Sequence, residues 1–215
     1  MLEVPVLILS LLLALLYFRF LGKPAGHGRA ALKAAPVLLL AVYAVIAGGA
    51  TWMVMALFLG ALGDLCLAYD GERAFIAGLV SFLLSHLAYV ALFWPMAEPS
   101  LILGEAWRIG SAAALAILVP ALILVLWRPA GPLAMPVAIY GLVIGAMGFT
   151  ALSVADAAVF LGAALFISSD TALAAEKFLV GAAAPPGRLL RNFVWATYYS
   201  AQLVFTLAVA GLPSA

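Results

Sequence analysis

Charge is what this chain has least of. Lys, Arg, Asp and Glu make up 9% of its 215 residues, against roughly 25% in an ordinary soluble domain. Hydrophobic residues make up 68%, more apolar surface than a water-soluble fold can bury. The net charge of +1 lacks the Lys and Arg excess that a phosphate-backbone surface needs, so no nucleic-acid partner is expected. The single cysteine, Cys66, cannot form an intramolecular disulfide and does not report the redox compartment. Of two histidines, His27 lies in a Gly-rich basic stretch and reads as solvent-facing, and no His/Cys cluster has the spacing of a zinc site. A Walker-type loop, a dinucleotide fingerprint and a Gly-x-Ser-x-Gly elbow are missing as well.

What is present is apolar helix. A hydrocarbon layer about 30 Å thick takes roughly 20 apolar residues per crossing. Runs separated by charge, Gly or Pro fall near 4–21, 34–48, 50–69, 74–94, 109–127, 133–152, 157–175 and 192–211. The expected fold is all-α, a polytopic transmembrane helical bundle of about eight spans in a single transmembrane domain over 1–215, with seven spans as the alternative. Gly48-Gly49 reads as a tight hairpin between the second and third runs. The first run resembles a signal-peptide core, but no basic residue precedes it, and Arg19, Lys23, Arg29 and Lys33 follow it. That order suits a retained span with its N-terminus outside.

With eight spans, Arg19, Lys23, Arg29, Lys33, Arg73, Arg128, Lys177, Arg188 and Arg191 lie at one face and only Arg108 at the other. The positive-inside rule then places that face in the cytoplasm and both termini away from it, as in a bacterial inner-membrane protein. GDLCLA from Gly63 and SDTALA from Ser169 share Asp-x-x-Leu-Ala at an offset of 106 residues, which also carries the first span onto the fifth. The offset suggests a parallel four-plus-four duplication.

Of the charged residues, only Arg19, Asp64 and Asp170 fall within these spans. Arg19 sits in a last turn and can snorkel to the headgroups. Each aspartate is expected about six residues, roughly 9 Å, inside the cytoplasmic end of its span. A carboxylate there costs about 2.5–3.5 kcal/mol on insertion scales, so two of them imply partners, water or work. Small residues precede both, Gly60, Ala61 and Gly63 before Asp64, and Ser168 and Ser169 before Asp170. Small side chains let helices approach, and hydroxyls can hydrogen-bond a carboxylate. Two carboxylates in one low-dielectric pocket would share a proton, supplying a general acid and a general base together. The plainer alternative is a pair of protonated aspartates that hold helices together. His86, with Ser85 and Tyr89 near it, and Tyr198, Tyr199 and Gln202 in the last span are candidates to orient a polar headgroup or a water. Interhelical hydrogen bonding is their structural alternative.

At these residues the chain resembles the lysoplasmalogenase family of membrane proteins, also called YhhN-like. The resemblance rests on LGALGDLCLAYD, FIAGLVSFLLSHLAYV, LGAALFISSDTALAAEKF and YYSAQLVF; the first two spans and the 95–135 region match only as generic apolar helix. It implies hydrolysis of the vinyl-ether bond of lysoplasmalogens to a fatty aldehyde and a glycerophospho-ethanolamine or -choline, with no metal or organic cofactor. The family's two motif aspartates map onto Asp64 and Asp170 as the catalytic pair. The implied partners are a lysophospholipid substrate and membrane lipids. Lys177, Arg188 and Arg191 lie where a substrate phosphate would meet them, with the positive-inside bias as the alternative reason for their place. The rival readings are a small secondary transporter that moves protons or a cation on its aspartates, with Gly141, Gly145 and Gly148 supplying flexibility, and a non-catalytic lipid-binding or scaffold protein.

Overall fold

The computed structural model of the chain describes residues 2–180 and 187–209. Among them are nine α-helices: α1 (Glu3–Tyr17), α2 (His27–Ile46), α3 (Thr51–Leu67), α4 (Glu72–Phe93), α5 (Ser100–Gly104), α6 (Ala106–Trp127), α7 (Ala134–Leu152), α8 (Ala157–Ala175) and α9 (Arg188–Val209). A π-helical turn, Glu176–Val180, continues α8. One isolated bridge, Ala97 with Val154, is the sole β-pairing among the described residues. The eight longer helices fall on the eight expected runs, and the last two residues of the eighth run, 210 and 211, lie outside the described residues. Among the described residues five segments are long and apolar enough to cross a membrane: His27–Ile46, Glu72–Met96, Ala106–Trp127, Gly131–Leu152 and Ala157–Val180. Large apolar side chains point outward along them, Ile117 70% and Leu124 76% exposed, as a lipid surround permits. The protein is a helical membrane protein.

Several boundaries differ from the sequence reading. α1 stops at Tyr17 and leaves exposed Arg19 in the turns that follow. α2 begins at His27, seven residues before the apolar run, because the Ala-rich stretch from His27 to Ala35 propagates as helix. α3 ends at Leu67, so Asp64 lies in its last turn and not six residues inside. α6 takes in Arg108.

The chain divides into two compact units, one of residues 1–92 with 202–215 and one of residues 93–201. In the first, α1 meets α2 where buried Ser10 Oγ donates to the Pro36 carbonyl at 2.7 Å. The α2–α3 hairpin turns at Gly48, which has φ +73°, while the Gly49 amide donates to the Ala44 carbonyl at 2.8 Å. That six-to-one bond and the left-handed residue before its donor make a Schellman end, which favours glycine at 48. α3 and α4 touch through their glycines: a Cβ at Gly63 would stand 2.6 Å from the Phe82 ring, and one at Gly78 2.6 Å from Leu67. Ser85 Oγ donates across the same contact to the Ala56 carbonyl at 2.7 Å.

In the second unit α6, α7 and α8 also pack through glycine. A Cβ at Gly145 would come 2.9 Å from Val119, one at Gly148 2.9 Å from Ile167, and one at Gly141 3.2 Å from Ile123. These glycines serve close helix approach, not the flexibility that the transporter reading asks of them. Arg108 is 2% exposed and sits beyond the end of α7. Its Nη1 donates to the Leu152 carbonyl and to that of Val154 at 2.8 Å, and its Nη2 to that of Ala155 at 3.1 Å. Its Nε meets Glu105 at 3.3 Å, and the guanidinium lies 4.5 Å from the Trp107 ring centre. A helix end leaves its last carbonyls without internal donors and carries partial negative charge; this guanidinium answers both.

Candidate functional site

The first candidate carboxylate is built by the α2–α3 hairpin. Asp64 is 1% exposed on a face of α3 made by the buried residues Gly60, Ala61 and Gly63. Lys33 of α2 reaches it, with Nζ 3.4 Å from Oδ1 and a side chain 18% exposed. The hairpin register explains the meeting, since Lys33 stands fifteen residues before Gly48 and Asp64 fifteen after Gly49. Antiparallel helices joined at that turn bring the two level. Arg29, one turn before Lys33 on the same face, donates from Nη2 to the Ala68 carbonyl at 2.5 Å, a cation at the C-terminal end of α3 where the helix field favours it. Tyr17, at the end of α1, lies within electrostatic reach of Arg29 and Asp64. His27 opens α2 and, although exposed, is hydrogen-bonded through Nδ1 to the Tyr69 hydroxyl at 2.7 Å.

The second carboxylate repeats this plan on the α7–α8 hairpin. Asp170 is half-buried, and the Tyr140 hydroxyl of α7 donates to its Oδ2. Tyr140 and Asp170 each stand fifteen residues from Ala155, in the turn that joins their helices. The 106-residue offset carries the last residue of α2 onto the last residue of α7 and the first residue of α3 onto the first residue of α8. The expected serine partners are engaged elsewhere: Ser168 Oγ donates to the Ala164 carbonyl at 2.7 Å, and Ser169 Oγ to the Val194 carbonyl of α9 at 3.0 Å. It is a tyrosine of the preceding helix, one the sequence reading passed over, that bonds the carboxylate.

Most of the remaining predicted residues are buried or half-buried. His86 is fully buried, with Nδ1 2.6 Å from the Phe82 carbonyl. A carbonyl only accepts, so Nδ1 carries the hydrogen and Nε2 is the acceptor nitrogen. Gln202, also fully buried, accepts from the Tyr89 hydroxyl, whose ring packs on Phe205 at 4.5 Å; this is the interhelical bond of the structural alternative. Tyr198 meets Phe166 edge-on at 5.4 Å and lies in a cluster with Trp195, on which Tyr199 stacks. Arg191 is half-buried in the first turn of α9, and Arg188 and Lys177 are exposed.

Carboxylates fixed by a polar side chain of the preceding helix, on two helical hairpins of one pattern, define a polytopic membrane protein that keeps acidic groups inside its packed helices. A sequence profile of the YhhN family matches residues 28–209. The chain belongs to the YhhN family. It is 31% identical over 191 residues to a lysoplasmalogenase of Mycobacterium tuberculosis, covering 84% of this chain and 70% of that one. It is 35% identical to lysoplasmalogenase TMEM86B of Homo sapiens, covering 86% of this chain and 76% of the human protein, and 29% identical to lysoplasmalogenase TMEM86A of Bos taurus, covering 74% and 65%. No solved structure is significantly similar to it.

Proposed function

We propose that the chain hydrolyses the vinyl-ether bond of lysoplasmalogens within the membrane, with Asp64 and Asp170 as its general acid and base. The observation that carries this reading is that both motif aspartates are held by a partner on the preceding helix, Lys33 for one and Tyr140 for the other. The proposal requires both to act on one substrate.

The chemistry follows from the bond. One carboxylic acid gives its proton to the β-carbon of the vinyl ether, and the C=C electron pair forms the new C–H bond. The ether oxygen shares the positive charge left on the α-carbon as an oxocarbenium ion. The other aspartate, as an anion, steadies that cation and takes a proton from the water that adds to the α-carbon. The resulting hemiacetal passes its hydroxyl proton to the ether oxygen and collapses to a fatty aldehyde and the glycerophospho-alcohol. Proton return from the second carboxyl to the first completes the cycle, so one water is consumed and no cofactor is needed. Arg191, with Lys177 and Arg188, offers positive charge for the substrate phosphate, and His86, Tyr198 and Gln202 shape the substrate-binding surroundings.

Purified full-length protein should release aldehyde from an alkenyl lysophospholipid and leave the matched alkyl-ether lipid untouched, because only the alkenyl chain has a basic β-carbon. Release of fatty acid from an acyl lysophospholipid, with no aldehyde from the alkenyl one, would replace this reading with an esterase. The glycines that pack α6 to α8 give the transporter reading no support.

The proposed orientation places the ends carrying Lys33, Arg73, Arg128 and Arg188 in the cytoplasm of a bacterial inner membrane and both termini outside it. In a Cys66→Ala background, cysteines placed at Gly22 and Arg128 should resist an impermeant thiol reagent added to intact cells, while one at Glu98 reacts. Labelling of Gly22→Cys from outside would overturn the orientation.

A further inference from the structure

We infer that Arg29 is a ligand of the substrate phosphate, seated one helical turn outward of Asp64 at the open end of the α2–α3 hairpin. The inference rests on the hydrolase reading above and adds a cation of α2 to those of α9 named there.

Three contacts tie α2 to α3 at the end of the hairpin away from Gly48. Lys33 Nζ meets Asp64 Oδ1 at 3.4 Å, Arg29 Nη2 donates to the Ala68 carbonyl at 2.5 Å, and His27 Nδ1 is hydrogen-bonded to the Tyr69 hydroxyl at 2.7 Å. Each stands farther from the turn than the one before, so Arg29 lies outward of the carboxylate. The four residues from Lys33 back to Arg29 rise about 6 Å. That is close to the reach of the glycerol and ester oxygen that separate a vinyl ether from phosphorus. A lysoplasmalogen whose vinyl ether stands at Asp64, with its chain along the apolar residues that follow Lys33, has its phosphate at the level of Arg29.

Arg29 also has donors to give. Its side chain is half-buried, and its Nε is shut away from solvent with no hydrogen-bond partner among the described residues. A guanidinium carries five N–H donors in a planar fork, and the Ala68 carbonyl engages one nitrogen of it. A phosphate brings several charged oxygens in the geometry that Arg matches and Lys does not. The neighbouring charges agree with an anion at this level. Lys33 stands one turn inward on the same face, between the phosphate and the Asp64 carboxylate. Arg19 and Lys23 are exposed in the turns between α1 and α2, and they add positive potential to the same end of the unit.

The competing role for Arg29 is to cap the C-terminal end of α3 and nothing more. The two roles separate kinetically. Arg29→Gln keeps a hydrogen-bond donor without the charge, and Arg29→Lys keeps the charge without the fork. Each full-length variant is assayed per folded molecule on a lysoplasmalogen and on the matching alkenylglycerol that lacks the phosphate. Maltoside detergent and phosphate-free buffer leave the substrate as the added source of phosphate. A phosphate ligand predicts that Arg29→Gln raises KM for the lysoplasmalogen by about 10- to 100-fold, the worth of a hydrogen bond to a charged group. Its kcat should change little, and so should KM for the alkenylglycerol. Arg29→Lys should raise the same KM by a smaller factor, and it carries the test if Arg29→Gln does not assemble. An unchanged KM for the lysoplasmalogen, or an equal rise on both substrates, would leave Arg29 a helix cap and overturn the inference. A KM rise that appears only after anionic phospholipid is added back would assign Arg29 to a bulk lipid, and would overturn it too. Failure of the hydrolase reading looks different, because the wild-type protein would then release no aldehyde at all.

Discussion

Asp64→Asn and Asp170→Asn should each lower aldehyde release by about 10²–10⁴-fold, the usual contribution of one general acid or base. Asn keeps the shape of the side chain and much of its hydrogen bonding, and it can still meet Lys33 or Tyr140. What it loses is the capacity to give or take a proton at neutral pH. Groups that act as one unit lose activity non-additively, so the double variant should be little slower than the slower single one. A purely structural pair predicts the reverse: lower thermal stability, and normal turnover in whatever fraction folds. Turnover per folded molecule, with folding scored by size-exclusion profile and melting midpoint, separates the two. Near-normal turnover in both single variants would remove these residues from the mechanism.

Arg108→Met should give the largest loss of stability, roughly 3 kcal/mol, and should leave turnover per folded molecule unchanged. The estimate follows from the value of hydrogen bonds to charged groups, about 1.5–3 kcal/mol each, reduced because Arg108 touches three carbonyls that α7 leaves at its end and some of these can find water. Met fills the space of the aliphatic stem but donates nothing. Arg108→Lys keeps the charge without the planar fork that spans several acceptors, and should recover only part of the loss. Thermal unfolding in detergent checks both. A melting midpoint unchanged in Arg108→Met would show that the guanidinium contributes no stability to this turn.

The helices themselves were legible because apolar runs broken by charge, Gly and Pro are a strong signal. The Gly48-Gly49 hairpin was legible too, since a positive φ at a helix end favours glycine. What was lost lay at the polar edges of those runs. The stretch from His27 to Lys33 reads as a basic loop when charge alone is weighed, whereas its alanines and the four-residue spacing of Arg29 and Lys33 make it the first turns of α2. The partners of both aspartates were missed for one reason. A side chain on the preceding helix is found by counting outward from the hairpin turn, and Lys33 and Tyr140 are the residues that such a count would have found. Ser168 and Ser169 were expected on Asp170 because hydroxyls suit a carboxylate. In a helix a hydroxyl has a nearer acceptor in the carbonyl one turn back, which Ser168 takes, and Ser169 finds a carbonyl on α9. His86 follows the same rule, turning to Phe82 on its own helix. Arg108 was counted as a loop charge for orientation, and nothing in its local sequence announced that three carbonyls at and just past the end of α7 would converge on it.

The most direct test of the account is the fate of a deuteron. Purified full-length protein is given a defined lysoplasmalogen in D2O, and the aldehyde is trapped at once by borohydride and weighed by mass spectrometry. Protonation of the β-carbon as the first step predicts one deuterium at C2 of the trapped chain, with an equal amount of glycerophospho-ethanolamine or -choline released. Aldehyde that carries no deuterium at C2, or no aldehyde at all from the alkenyl lipid, would contradict it.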